Sequence, residues 1–423
     1  MRNNKKTRRN HKNINEHKKI KKQNKFIFYF LFLLIIILIA ILGIIFSIKT
    51  FINNSNNGET ESNLNGDISE TTQTQEDTTF TITALGDILC HNTQYMDAYN
   101  KTTGTYDFDY AYENVKHYTQ LGDLTIANIE TSFAGAERGY SNYPTFNSPD
   151  ALANSMKNIG VDIITTAGNH ALDMGFSGLS RTIDTLDKAD ISHLGTYKSQ
   201  EERDSVFIKY VKGVKIAFID YTYGTNGIPV PSGKDFCINI INKDLIKSDI
   251  DKAKEQSPDV IIACMHWGTE YKTSANSDQK DLADFLFQNG VDVILGNHPH
   301  VLEQMEKRTV TLSDGSNKDG FVIYALGNFC ADQTDEITRD SIILNLSITK
   351  HADGKISIDH AKYTPIYFSK KMVTTNGKIF KSLDLEKTIA DYDAGVDTSI
   401  GSTNYQKLKT QLEKIKSIVG NEF

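Results

Sequence analysis

Cysteine is scarce: Cys90, Cys237, Cys264 and Cys330 are the only four in 423 residues, and they form neither a CxxC pair nor the spacing of a metal finger. A thiolate-rich metal site is excluded, and a chain long enough for a sizeable core needs no disulfide framework. Three of the four lie in apolar runs beside polar motifs and read as small buried hydrophobes. A basic footprint is missing from most of the chain as well. The net charge of −7 conceals eleven Lys or Arg against a single acid, Glu16, in residues 1–25, so everything after them is strongly acidic. That excludes nucleic acid as the partner of the acidic part. Internal repeats are also absent.

Charge of either sign is missing from residues 26–48, FIFYFLFLLIIILIAILGIIFSI. A bilayer is crossed by roughly 20 apolar residues in a helix, which this run satisfies. It exceeds the ~7–15 residues of a signal-peptide core, and neither a small-x-small cleavage site nor a lipid-attachment cysteine follows it. The expectation is a single-pass anchor in the cell membrane. Residues 1–25 form a basic cytoplasmic tail, and the C-terminal bulk lies outside. Residues 49–78 read as a disordered acidic linker, since from Asn53 on they offer almost nothing apolar to bury.

Beyond the linker, short apolar runs alternate with helical stretches, the signature of an α/β domain, here taken as residues 79–370. Strands are expected at 80–85, 124–130, 161–166, 205–211, 214–220, 259–268, 291–300, 320–326, 341–349 and 355–363. Helices are expected near 107–120, 177–189, 243–255 and 277–289. Another helix should start at Ser148-Pro149-Asp150, with Ser148 as its cap. A loop bearing Gly and Pro, 224–233, is long enough to overhang a site. Residues 371–423 are expected as a C-terminal extension. Within it Tyr405, Leu408, Leu412, Ile415 and Val419 mark one face of an amphipathic helix.

Five strands share one habit: an apolar run, then a turn presenting side chains that bind metals. Their ends carry Asp87, Glu130, Asn169-His170, His266, and His298 with His300. Alternation along an extended segment would put His298 and His300 on the same side. Carboxylate, amide oxygen and imidazole without thiolate suit Mn, Fe or Zn better than Ca. Two such ions sharing a carboxylate would stabilise the attacking and leaving oxygens of a displacement at phosphorus, with a water between them as nucleophile. His170 has another job available: to protonate a leaving oxygen, with Asp173 orienting its ring.

These motifs, GD at 86–87, NIE at 128–130, GNHALD at 168–173, HWGTEY at 266–271, GNHPH at 296–300 and YALGNFCADQ at 324–333, resemble in order those of the CapA family of poly-γ-glutamate capsule-synthesis proteins. That family is similar to the calcineurin-like metallophosphoesterases, and the resemblance covers roughly residues 80–365. It implies a four-layer α/β/β/α metallophosphoesterase-like sandwich. It also implies Asp87 and His300 on one metal, Asn169, His266 and His298 on a second, Glu130 as the bridge, and His170 as the acid. Two positions depart from the broader phosphoesterase pattern. Leu89 stands where a histidine is expected, with His91 two residues further on, and the bridge is Glu130 rather than an aspartate. A single tightly held ion is therefore an alternative to two.

Trp267, Glu270, Tyr271 and Asn328 are expected to contact substrate. Lys and Arg are scarce within the motifs, so an anionic substrate would be held largely by metal. The resulting expectation is a membrane-anchored, metal-dependent hydrolase-like protein acting in the synthesis or export of poly-γ-glutamate or a related anionic polymer, with other membrane subunits of a polymer synthase as partners. Two alternatives stand beside it: a general extracytoplasmic metallophosphatase or phosphodiesterase, and a non-catalytic partner of such a synthase.

Overall fold

The computed structural model describes residues 76–423, so the expected tail, anchor and nearly all of the linker lie outside the described residues. Among the described residues no helix is long and apolar enough to cross a membrane. The strands are β1 (Thr78–Ile88), β2 (Tyr99–Asn100), β3 (Thr105–Tyr106), β4 (Leu124–Ile129), β5 (Ile163–Thr165) and β6 (Ser192–Leu194). Next come β7 (Phe207–Val211), β8 (Val214–Thr222), β9 (Val260–His266), β10 (Val293–Asn297) and β11 (Met305–Thr311). The last are β12 (Asn317–Ile323), β13 (Asn328–Cys330), β14 (Asp340–Lys350), β15 (Ile356–Thr375) and β16 (Lys378–Asp384).

They form a mixed α/β sandwich of two large sheets. One runs β16-β15-β14-β1-β4-β5-β6, with β13 beside the end of β1, and the other runs β11-β12-β10-β9-β8-β7. Strands β1, β4, β5 and β6 are parallel, as are β8, β9, β10 and β12. Parallel neighbours need crossovers, and four of the helices lie in them: Ala151–Asn158 and Gly175–Lys188 for the first sheet, Lys243–Glu255 and Ser277–Gln288 for the second. Alternation along β1 points Phe80, Ile82 and Ala84 at Ile216, Phe218, Ile262 and Val293 of the other sheet. The outer face of the first sheet packs Leu85, Ala127 and Ile164 against Leu152, Met156 and Leu186. The outer face of the second packs Ala217, Ile261 and Ile294 against Ile246, Ile250, Leu282 and Leu286. The packing order is thus helix, sheet, sheet, helix.

Two local expectations fail. The stretch 107–120 is not one helix but a short 3-10 turn, Asp109–Ala111, followed by the single turn Lys116–Thr119. Its apolar residues Phe108, Ala111, Tyr112 and Val115 are buried against the first sheet, so packing rather than helix length accounts for their spacing. The helix at 151 starts after Asp150 with no side-chain cap, and Ser148 Oγ instead meets Thr131 Oγ1 at 2.7 Å. Strand β15 runs unbroken through position 370, and β16 extends its sheet. The helix Gly401–Val419 buries Tyr405, Leu408, Ile415 and Val419 against that sheet, with Leu412 half-buried beside them.

Candidate metal centre

The parallel strands of both sheets end at one edge of the sandwich, where α/β proteins place their ligands. Each donor arrives there by a local device. Strand β1 pairs with β4 in register to Leu85 and slips before Asp87. Gly86 occupies the slip, and a Cβ there would lie 1.9 Å from the Gly327 carbonyl oxygen, so only glycine fits. The bulge presents Asp87, which is fully buried. Its Oδ1 accepts from Asn128 Nδ2 at 2.7 Å and its Oδ2 from the His298 backbone N–H at 3.2 Å. Glu130 follows β4 directly, His266 closes β9, and His298 and His300 follow β10.

The segment 298–300 is not extended, as the sequence suggested. His298 has φ +100° and His300 has φ +61°, a left-handed backbone that side chains rarely adopt and that clusters at functional sites. The two rings consequently part company: each serves a different donor group, 6.1 Å apart between centroids.

Glu130 stands between these groups. Its Oε1 lies 3.5 Å from His266 Nε2 and its Oε2 lies 3.4 Å from His300 Nδ1, yet neither oxygen has a hydrogen-bond partner. Glu130, His266 and His298 bring donor atoms within 4.8 Å of one another, and so do Asp87, Glu130 and His300. Asn169 Oδ1 faces His266 Nε2 at 3.0 Å, on the side of the first group. His298 Nδ1 is another buried atom without a partner.

Burial pushes Asp87 well above the ordinary carboxylate range, and the charge of Glu130 adds to it. Burial also raises Glu130, against the pull of His300 and His170. It drives His266 and His298 down, so both rings are neutral. Acids that resist ionising and imidazoles that resist protonation, with orphaned oxygens between them, are what a divalent cation would complete. It would favour the carboxylates as anions and the neutral ring nitrogens as donors.

Beside these groups, His170 Nδ1 pairs with Asp173 Oδ2 at 2.8 Å, and that oxygen also accepts from the Phe146 backbone N–H at 2.6 Å. Burial lowers the His170 pKa most, but the Asp173 bond and the charges of Glu130, Asp173 and Glu270 outweigh it and raise the ring overall. The Phe146 ring abuts it edge-on at 4.8 Å.

The expected substrate contacts divide. Tyr271 is 46% exposed with its ring 6.0 Å from His300, and Glu270 is exposed next to it. Trp267 is buried in the helix-facing core and donates to the Tyr324 carbonyl at 2.9 Å, so it cannot reach a substrate. Asn328 is fully buried too. Its Oδ1 faces His300 Nδ1 at 3.1 Å and its Nδ2 serves the His300 and Thr338 carbonyls and Gln333, so it fixes a ring instead of lining a pocket.

His91 joins neither donor group. It caps the helix Asn92–Ala98 and accepts from the Asp332 backbone N–H at 3.2 Å, while burial pushes it down to about 4. Leu89 packs with Phe146 and Ala331. All four cysteines are buried and free.

Several neighbours had no assigned role: Asn128, Tyr223, Asn226 and Phe146. Asn226 Oδ1 accepts from Asn169 Nδ2 and Tyr223 Oη, both at 3.2 Å, and its Nδ2 faces His170 Nε2 at 3.3 Å. Its loop was the one signal available, being long enough to overhang the site.

With this geometry in place, the profile of the bacterial capsule synthesis protein PGA_cap family matches residues 81–333. The chain belongs to that family. Among relatives, the PGA_cap chain is similar to the capsule biosynthesis protein CapA of Bacillus anthracis, 25% identical over 295 residues that cover 67% of each chain. It is also similar to the PGA biosynthesis protein CapA of Bacillus subtilis (strain 168), 29% identical over 211 residues, 48% of this chain and 51% of that one. The chain thus spans about half the length of this second relative. Among solved structures, the calcineurin-like phosphoesterase YfkN of Bacillus subtilis aligns at 16% identity with a TM-score of 0.41, over 80% of this chain and 99% of that one.

Proposed function

We propose that this PGA_cap protein is a metal-dependent hydrolase of phosphoesters, anchored by residues 26–48 and acting outside the membrane in the synthesis or export of poly-γ-glutamate or a related anionic polymer. The curated relatives support the capsule setting through their printed names, and the uncharged run behind a basic tail supports the anchor. The single observation that carries the catalytic part is Glu130: buried, without a hydrogen bond, and common to both donor groups. Asp87, Glu130 and His300 would hold one Mn, Fe or Zn ion, and Glu130, Asn169, His266 and His298 another. Such ions would supply an acidified water and neutralise charge on the phosphoryl oxygens.

The chain's own residues do the rest. Asp173 and the packed Phe146 ring fix His170 with Nδ1 on the carboxylate and Nε2 towards Asn226, and Nε2 is the atom that would hold a proton for the leaving oxygen. Asn328 fixes the His300 ring from beneath. A partnership with membrane subunits of a polymer synthase belongs to the same proposal.

The purified full chain should carry about one to two equivalents of transition metal. His298→Ala should empty it. His170→Ala should keep the metal and lower turnover about 10²- to 10⁴-fold. A metal-free protein, or metal loss in both variants, overturns the assignment.

A further inference from the structure

The segment that follows His266 carries one exposed carboxylate without an ion-pair partner. Glu270 is exposed, and among the described residues it has no hydrogen-bond or ion-pair partner. The charges acting on it are those of Glu130 and His170, and no Lys or Arg is among them. Its charge reaches two tyrosines that flank the site. Tyr223, 44% exposed, lies 4.4 Å from His298 and parallel to His266 at 6.4 Å. Tyr271 stands on the other side, by His300. Its backbone is held at φ +64°, its N–H donates to the Pro299 carbonyl at 2.9 Å, and its Oη accepts from Gln333 at 3.3 Å.

Two readings of such a mouth compete. On its way to the donor groups a polyanion would pass an unpaired carboxylate with no Lys or Arg beside it, which opposes its approach. An ammonium group would meet the negative faces of aromatic rings and a full opposite charge. We propose that the mouth recognises a positively charged amine, so that the substrates are phosphoesters whose leaving alcohol bears an ammonium group. This rests on the hydrolase reading above. In turnover the water oxygen bonds to phosphorus and the P–O ester bond breaks. The leaving oxygen takes the proton of His170 and departs as an amino alcohol, phosphate is released, and a proton lost by the attacking water restores the ring. The anionic polymer then enters as what the reaction serves, not as what the mouth grips.

A matched pair tests it on the metal-loaded full chain: 2-aminoethyl phosphate against 2-hydroxyethyl phosphate, by turnover and by equilibrium binding. The amine should be preferred about tenfold in kcat/KM, and Glu270→Gln and Tyr271→Ala should each bring that ratio towards one. A ratio at or below one in the native chain, or one that survives Glu270→Gln, overturns the proposal. Vesicles with ethanolamine headgroups against glycerol headgroups separate a lipid source from a soluble one. A preference in either arm that Glu270→Gln removes supports the proposal, and a preference in neither overturns it. Should no ester turn over, the hydrolase reading falls, and the binding ratio of the same pair still decides the mouth.

Discussion

Asn128 holds three parts of the site without being a donor itself. Its Nδ2 donates to Asp87 Oδ1 and faces His266 Nδ1 at 3.4 Å, while its Oδ1 accepts from Thr165 Oγ1 at 2.9 Å. Removing it leaves Asp87 and His266 free to turn. Outer partners of this kind are worth about 10- to 100-fold in metal affinity. Asn128→Ala should therefore weaken metal binding by that factor in a chelator competition, and unchanged affinity would deny Asn128 this role. The sequence showed an amide at a strand end but not which atoms it would reach. Trp267 was misread for a reason that was legible: it follows His266 directly, and successive strand residues face opposite ways. His91 starts a helix, and its ring is spent on the Asp332 backbone N–H.

At the scale of elements, strand ends with long apolar runs were readable, because strands buried on both faces read as continuous hydrophobic stretches. β4, β9 and β10 fall where they were expected. β11 and β16 were not seen, since MEKRTVT and KIFKSLD mix charge with apolar residues as half-exposed strands do. Nor could the sequence show that β1 slips register at Gly86, because the cause is the Gly327 carbonyl 241 residues later in the chain. Gly86→Ala should force β1 and the 326–328 turn apart. The expected cost is about 1–3 kcal/mol of stability. Metal affinity should fall with it, because Asp87 moves. Retained affinity in denaturant-matched samples would show that the bulge does not aim Asp87.

For the whole molecule, burial has a pH signature away from the donor groups. Asp220 and Asp340 are both pushed up to about 8 by burial, and neither Asp340 oxygen has a hydrogen-bond partner. In the unfolded chain these acids ionise near about 3.9. Folded, they keep their protons longer, so their contribution to stability is fully present below about pH 4 and is lost as pH rises through about 8. Melting temperature should accordingly fall from pH 5 to pH 9, and Asp340→Asn should flatten that slope. An unchanged slope would mean that Asp340 ionises alike in both states.

The strand that carries Asp87 has one more consequence, and it concerns time. β1 lies mid-sheet, between β4 and β14, and its pairing with β14 joins Thr78 to Lys350. Contacts of such sequence separation make folding slow, because loop closure comes before any reward. Strand β1 must wait, unpaired with β14 on that edge, until some 250 further residues have emerged (Ile88 to Asp340 by position). A chain delivered across a membrane from its beginning would thus stay open for most of its passage, and fragments ending before β14 should not fold.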